Sequence, residues 1–178
     1  MENQKSSAQS IMLNNGLILG FISILLGVIN YAFGNIYDPH WLISVVGILL
    51  SITFIVLGIK KIKENNNGFL KLGQALKVGL GIALISGIIY VIYLFIFTSF
   101  IEPDFYKNMI SFQEQKIMND NPNLTDEQIE VSVTMMKKFM GPGMTTAFTI
   151  AGSLFMGFII SLIAGLIMKK TDEEVTSI

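Results

Sequence analysis

The side chains in this chain that could do acid–base or metal chemistry are few. His40 is the single histidine and stands two residues from Asp38; Glu102 and Asp104 flank Pro103. General acid–base catalysis needs two groups within hydrogen-bond reach whose pKa values are held apart. A zinc site needs three or four ligands. One histidine beside one acid supplies neither. There is no cysteine, which removes disulfides, thiolate metal sites and cysteine nucleophiles. All twelve basic residues are lysine, so the bidentate fork with which arginine grips phosphate or carboxylate is missing. The net charge of −1 argues against a nucleic-acid partner. The expectation is a chain that is not an enzyme, with no catalytic, cofactor-binding or metal-ligating residue.

Where the ionisable groups are absent is more telling. Only 14% of residues are charged, against about 25% in an ordinary soluble domain. Four stretches carry no charge at all: Ser6 to Tyr37, Pro39 to Ile59, Val78 to Ile101 and Phe139 to Met168. About 20 apolar residues at 1.5 Å each cross a hydrocarbon core of about 30 Å. A soluble helical bundle would place a charge on its outer face at nearly every turn. The reading is therefore all-α: a polytopic membrane protein with four transmembrane helices, about 11–33, 41–59, 79–101 and 145–168, forming a single membrane domain over 1–178. No Asp, Glu, Lys or His falls inside these spans, and such groups at membrane depth are what mark proton relays and ion coupling.

The segments between the spans have their own signals. Asp38 predicts an N-cap and Pro39 a first helical position for the second span. Tyr31, Tyr37 and Trp41 cluster there as interfacial aromatics do. Phe69, Leu72 and Leu76 share one helical face, with Lys71, Gln74 and Lys77 on another. This predicts a short helix lying on the membrane surface before the third span. The loop over 102–143 predicts two amphipathic helices, Phe105 to Met118 and Thr125 to Met140. Thr125 with Gln128 forms a capping-box signature for the second, which also explains the sequon-like Asn123-Leu-Thr125 as a cap. Gly141-Pro-Gly143 ends it. The apolar run after Lys5 is too long for a cleavable signal, so the first span is expected to remain as an anchor.

Lysines set the orientation. One lies in the N-terminal tail, five in the second loop (Lys60, Lys61, Lys63, Lys71, Lys77) and two in the C-terminal tail, against four in the third loop beside seven acids. This predicts both termini in the cytoplasm and loop 102–143 outside. The five loop lysines are also candidates for anionic lipid headgroups, at about 1 kcal/mol each, although setting topology alone accounts for them.

Small residues recur at helical spacing: Gly16, Gly20 and Gly27 in the first span, Gly79, Ala83 and Gly87 in the third, Gly157, Ser161 and Gly165 in the fourth. Such stripes let helix backbones approach closely in lipid, where no hydrophobic drive brings helices together. They fit packing within one bundle or a homo-oligomer interface. Asn14, Asn15 and Asn30 fit hydrogen bonds between helices. Gly47-Ile-Leu-Leu-Ser51 resembles Gly157-Phe-Ile-Ile-Ser161, and Ile22 to Ile29 resembles Ile82 to Ile89. A two-helix repeat would give this pattern, and so would chance among apolar helices.

The run Gly68-Phe-Leu-Lys-Leu-Gly-Gln-Ala-Leu-Lys-Val-Gly79, followed by a span, then Ile101-Glu-Pro-Asp-Phe105 and an acidic loop, resembles the domain-of-unknown-function family 4199. Its members are small bacterial membrane proteins of flavobacterial type. The resemblance covers about residues 6 to 170 and implies an inner-membrane location. It implies no activity. The functional expectation is a non-enzymatic structural or partner-binding module, with the lipid bilayer and a membrane-protein partner or a second copy as its contacts. The alternative is a subunit of a small oligomeric transporter or channel.

Overall fold

The computed structural model describes residues 2–170, with side chains from Ser7 onward. Its helices are α1 (Glu2–Phe33), α2 (Trp41–Asn65), α3 (Leu72–Ile96), α4 (Phe105–Asp120), α5 (Asp126–Phe139) and α6 (Pro142–Met168), with a π-helical turn Phe97–Ile101 closing α3. Four segments are long and apolar enough to cross a membrane: Ser7–Phe33, Trp41–Asn65, Leu72–Ile101 and Pro142–Met168. They run up, down, up, down. The large apolar side chains they leave exposed, Phe21, Leu25, Leu49 and Ile92 among them, are explained by lipid.

The spans are longer than the uncharged gaps, because helices continue into their polar flanks. The expected surface helix is not a separate element. Leu72 to Val78 form the first turns of α3, which runs unbroken to Ile96. Phe69, Leu72 and Leu76, the expected apolar face, are half-buried, and the side most deeply covered by protein is that of Ala75 and Val78, 0% and 2% exposed, while Lys71, Gln74 and Lys77 face outward. Asp38 does not cap α2 either. His40 does, its Nδ1 accepting from Leu42 N at 3.3 Å, and Pro39 precedes the helix. In the 102–143 segment, Thr125 and Gln128 close the capping box of α5. Gly141 is the N-cap of α6, with Pro142 first in the helix.

The two ends of the bundle differ. One end, where most of the loop lysines lie, is clamped. Leu70 and Lys170 exchange backbone hydrogen bonds of 2.9 and 3.1 Å, tying the α2–α3 connection to the end of α6. Lys63 Nζ donates to Met168 O at 2.8 Å, satisfying a carbonyl that the helix end leaves open. Asn65 donates to Ser7 Oγ at 2.7 Å. Between these ties lies an aliphatic core that includes Ile11, Ile55, Ile59, Ile62, Leu70, Val78 and Ile82. The acidic tail beyond Lys170 falls outside the described residues.

The other end carries α4 and α5 and is looser. In α2 the buried residues Ile55, Gly58, Ile59 and Ile62 all fall in the C-terminal half. From Trp41 to Ser51 the helix stands away from its neighbours.

Candidate functional site

Helix α3 is the centre of the packing, and small residues make that possible. Against α6 it forms an antiparallel seam of four rungs. The ideal Cβ positions of Gly79, Gly87, Gly157 and Gly165 would meet Ser161, Ser153, Ala83 and Ala75 respectively. Alanine or serine faces glycine at every rung, so the helices touch almost backbone to backbone. The residue numbers of each pair add to the same total, and so do those of the Leu70–Lys170 bridge. Against α1, Gly16 receives Ile85, Gly20 receives Ile89 and Gly27 receives Tyr93. All nine small residues singled out by spacing thus face a neighbouring helix of the same chain. Ala75 and Ser153 complete the seam and continue the spacing by four. Gly58, beneath Ile82, and Gly81, beneath Met12, also pack closely and belong to no stripe.

Of the loop lysines, Lys63 is occupied at the end of α6 and Lys60 pairs with Glu64 at 4.0 Å. Lys61, Lys71 and Lys77 are exposed. Asn15 is turned back onto Ile11 O at 2.9 Å.

The splay of α2 opens a cavity of about 490 Å³ between the four spans in the half of the bundle nearest α4. That lies within the range of about 300–1,000 Å³ usual for small-molecule sites. Its floor is Leu19, Ile55 and Ala83, each under 5% exposed, below which the aliphatic core is closed. Its roof includes Phe97 and Phe105. Gly47 and Gly152 line it, and a Cβ on either would meet nothing within 4 Å. Ser44 and Gly152 are both exposed as well as lining, so the chamber reaches the surface between α2 and α6. No Asp, Glu, Lys or His lines it.

The chamber has neutral polar groups, and they differ in kind. Ser23, Ser51, Ser86 and Ser153 each donate to a carbonyl of their own helix, at 2.8, 2.9, 3.0 and 2.7 Å. Their protons are spent and their oxygens remain as acceptors. The Tyr90 and Tyr93 hydroxyls converge on Gly27, at 3.6 and 3.5 Å from where its Cβ would stand. Neither is hydrogen-bonded among the described residues, so both stand as free donors beside the Ser44 and Thr149 hydroxyls, which also line the chamber. Asn30, 8% exposed, also lines the chamber, and its Oδ1 is buried without a partner among the described residues. A buried polar atom left so costs about 1–3 kcal/mol.

Above the roof, Glu102 gathers three donors. Tyr37 Oη lies 3.1 Å from Oε1, Asn108 Nδ2 3.2 Å from Oε1, and Tyr31 Oη 3.4 Å from Oε2. The π-turn delivers this carboxylate, since Glu102 N bonds Phe97 O at 2.8 Å. Burial raises the Tyr37 phenol above its usual value of 10.0, and the Glu102 charge adds to the shift, while the Asn108 bond opposes it. A raised folded-state pKa means this contribution is complete below about pH 10 and fades as pH climbs through the higher value. Lys116 pairs with Asp38 at 2.9 Å and Gln113 donates to Tyr37 O at 3.4 Å, so α4 is fastened to the α1–α2 connection.

The acids and the histidine considered for chemistry are thus dispersed in structural roles. His40 caps a helix, Asp38 holds Lys116 and Glu102 holds the roof. Asp104 stands at the N-terminus of α4 without a side-chain capping bond. No group of three or more His, Cys, Asp or Glu could hold a metal among the described residues.

Four apolar spans, three of them packed on the glycine-seamed α3, with a helical pair between the third and fourth, define a small polytopic membrane protein. The chain belongs to the family described as protein of unknown function (DUF4199), whose model matches residues 14–170. No curated protein and no solved structure matches it.

Proposed function

We propose that this chain is a non-enzymatic binding module of a cell's inner membrane, with both termini cytoplasmic, that holds an uncharged ligand in the chamber beneath α4. The observation that carries this reading is the chamber: blind, free of ionised side chains, and lined by polar groups of which Asn30 Oδ1 and the Tyr90 and Tyr93 hydroxyls have no partner among the described residues. On this orientation α4 and α5 lie outside, and the hairpin is the surface offered to a protein partner. The closed floor weighs against the alternative of a transporter or channel subunit. The glycine stripes support the same preference, because the four-helix pathway would need oligomerisation through faces already filled.

Filling the chamber is the test. Gly47→Leu with Gly152→Leu puts two isobutyl groups into open space and replaces two helical glycines, each of which costs about 0.5–1 kcal/mol relative to alanine. The double variant is expected to melt in detergent at or above the wild-type temperature. Its response to an uncharged solute should vanish: 1-decanol should raise the melting point of the wild type by binding the folded state, and should leave the filled variant unmoved. Equal shifts in both proteins would sink the reading.

A further inference from the structure

Resting on that reading of the chamber, we infer that its ligand is an acylglycerol-type lipid: uncharged, with an ester carbonyl and a free hydroxyl on one acyl chain or more. Three features select this class.

The first is the balance of hydrogen-bonding groups. Tyr90 and Tyr93 offer two unpartnered donors that converge at Gly27. The back-bonded serines and the unpartnered Asn30 Oδ1 offer only acceptors. A hydrocarbon would leave both sets unsatisfied. A ligand that satisfies both must carry an acceptor and a donor close together, and an ester next to a hydroxyl does so.

Depth is the second feature. The span Ser7–Phe33 has 27 residues, about 40 Å at 1.5 Å each, which overhangs a 30 Å hydrocarbon core by roughly 5 Å at each end. Gly27 lies six residues before Phe33, about 9 Å along the helix. The two phenols therefore sit about 4 Å inside the hydrocarbon boundary, and Asn30 sits close to the boundary itself. Ester and glycerol groups of a bilayer lipid lie at that level, so a lipid sliding in sideways need not change depth. The exposed Ser44 and Gly152 mark its way in between α2 and α6.

The third feature is size and charge. At roughly 30 Å³ per water- or methylene-sized group, 490 Å³ holds about sixteen such groups. That is one acyl chain, or a glycerol ester with part of a chain, and a second chain would stay in the bilayer. The ionised group bonded into the roof is the Glu102 carboxylate, which disfavours a phosphate headgroup.

The test uses the full chain in detergent, with native mass spectrometry against three probes: dioleoylglycerol, dioleoylphosphatidylglycerol and hexadecane. Dioleoylglycerol is expected to be retained at least tenfold more tightly than either of the others. Tyr90→Phe with Tyr93→Phe removes both donors at nearly constant volume. It should weaken dioleoylglycerol about tenfold or more, leave hexadecane unchanged and leave the melting point within a degree or two of the wild type. Hexadecane held as tightly as dioleoylglycerol, or phosphatidylglycerol held more tightly, would overturn the ligand class and leave the chamber reading standing. Retention of dioleoylglycerol that is indifferent to both phenols would also overturn it. Failure to retain any probe, together with no response to 1-decanol, would overturn the chamber reading itself.

Discussion

Gly157→Leu is expected to lower the melting temperature of the protein in detergent by roughly 6–12 °C, the equivalent of about 3 kcal/mol in a chain of this size. The reason is local. An added Cβ at Gly157 would collide with the Ala83 Cβ and lie 3.3 Å from Gly79 O. A flexible side chain could move aside, but a methyl group and a carbonyl fixed to α3 cannot. Nor can α3 retreat as a body, because Ile85 and Ile89 on it are seated against Gly16 and Gly20 of α1. Total stabilities are about 5–15 kcal/mol, so the loss is a large share of what holds the fold. The control is Gly152→Leu. It makes the same chemical change five residues earlier on the same helix, where a Cβ meets nothing within 4 Å. If the two variants melt together, the seam does not hold α3 to α6.

Phe97→Ala should cost about 3–5 kcal/mol, as expected for a fully buried aromatic ring. Phe97 is 2% exposed. Tyr31 meets its ring at 5.0 Å and 83°, Phe105 at 5.8 Å and 82°, and Tyr93 at 5.7 Å and 36°. The two edge-to-face pairs, with Tyr31 and Phe105, add about 0.5–1.5 kcal/mol each beyond simple burial. Since Phe97 also lines the chamber, the space it vacates joins the cavity. Amide exchange of α4 should therefore accelerate along with the loss in melting temperature, because Phe105 loses its support. A variant that keeps wild-type exchange in α4 would show that the ring only fills space and does not hold the roof.

The spans were legible because the membrane imposes one rule on every turn: no charge without a partner. A single turn in the wrong place shows at once in 32 or 27 residues of helix. The seam was half legible. Spacing by four singles out Gly79, Ala83 and Gly87, yet says nothing of which helix lies opposite. The segment from Leu72 to Val78 was misread because its periodicity is the same whether the apolar face meets lipid or α6. His40 was passed over as a cap because Asp38 is the better capping residue in isolation, and Lys116 draws Asp38 away. The chamber was not legible at all. Gly47 and Gly157 open nearly identical strings, and one faces empty space while the other is pressed against Ala83. That difference comes from the angle of α2, which no short stretch of sequence records.

The constant total of the paired residue numbers, from Leu70–Lys170 to Gly87–Ser153, bears on how this chain tolerates change in length. An α-helix turns about 100° per residue. One residue inserted between Ala75 and Gly79 would swing every later rung out of the seam and set Val78, Ile82 and Ser86 in the places of Gly79, Ala83 and Gly87. A deletion in α6 would do the same from the other side. Growth and shrinkage are therefore expected in the connections at the end opposite the clamp, above all about α5, whose main helix contact is with α4. Length variation among relatives is expected to collect there, and the two seam segments should stay the same length wherever the bundle survives.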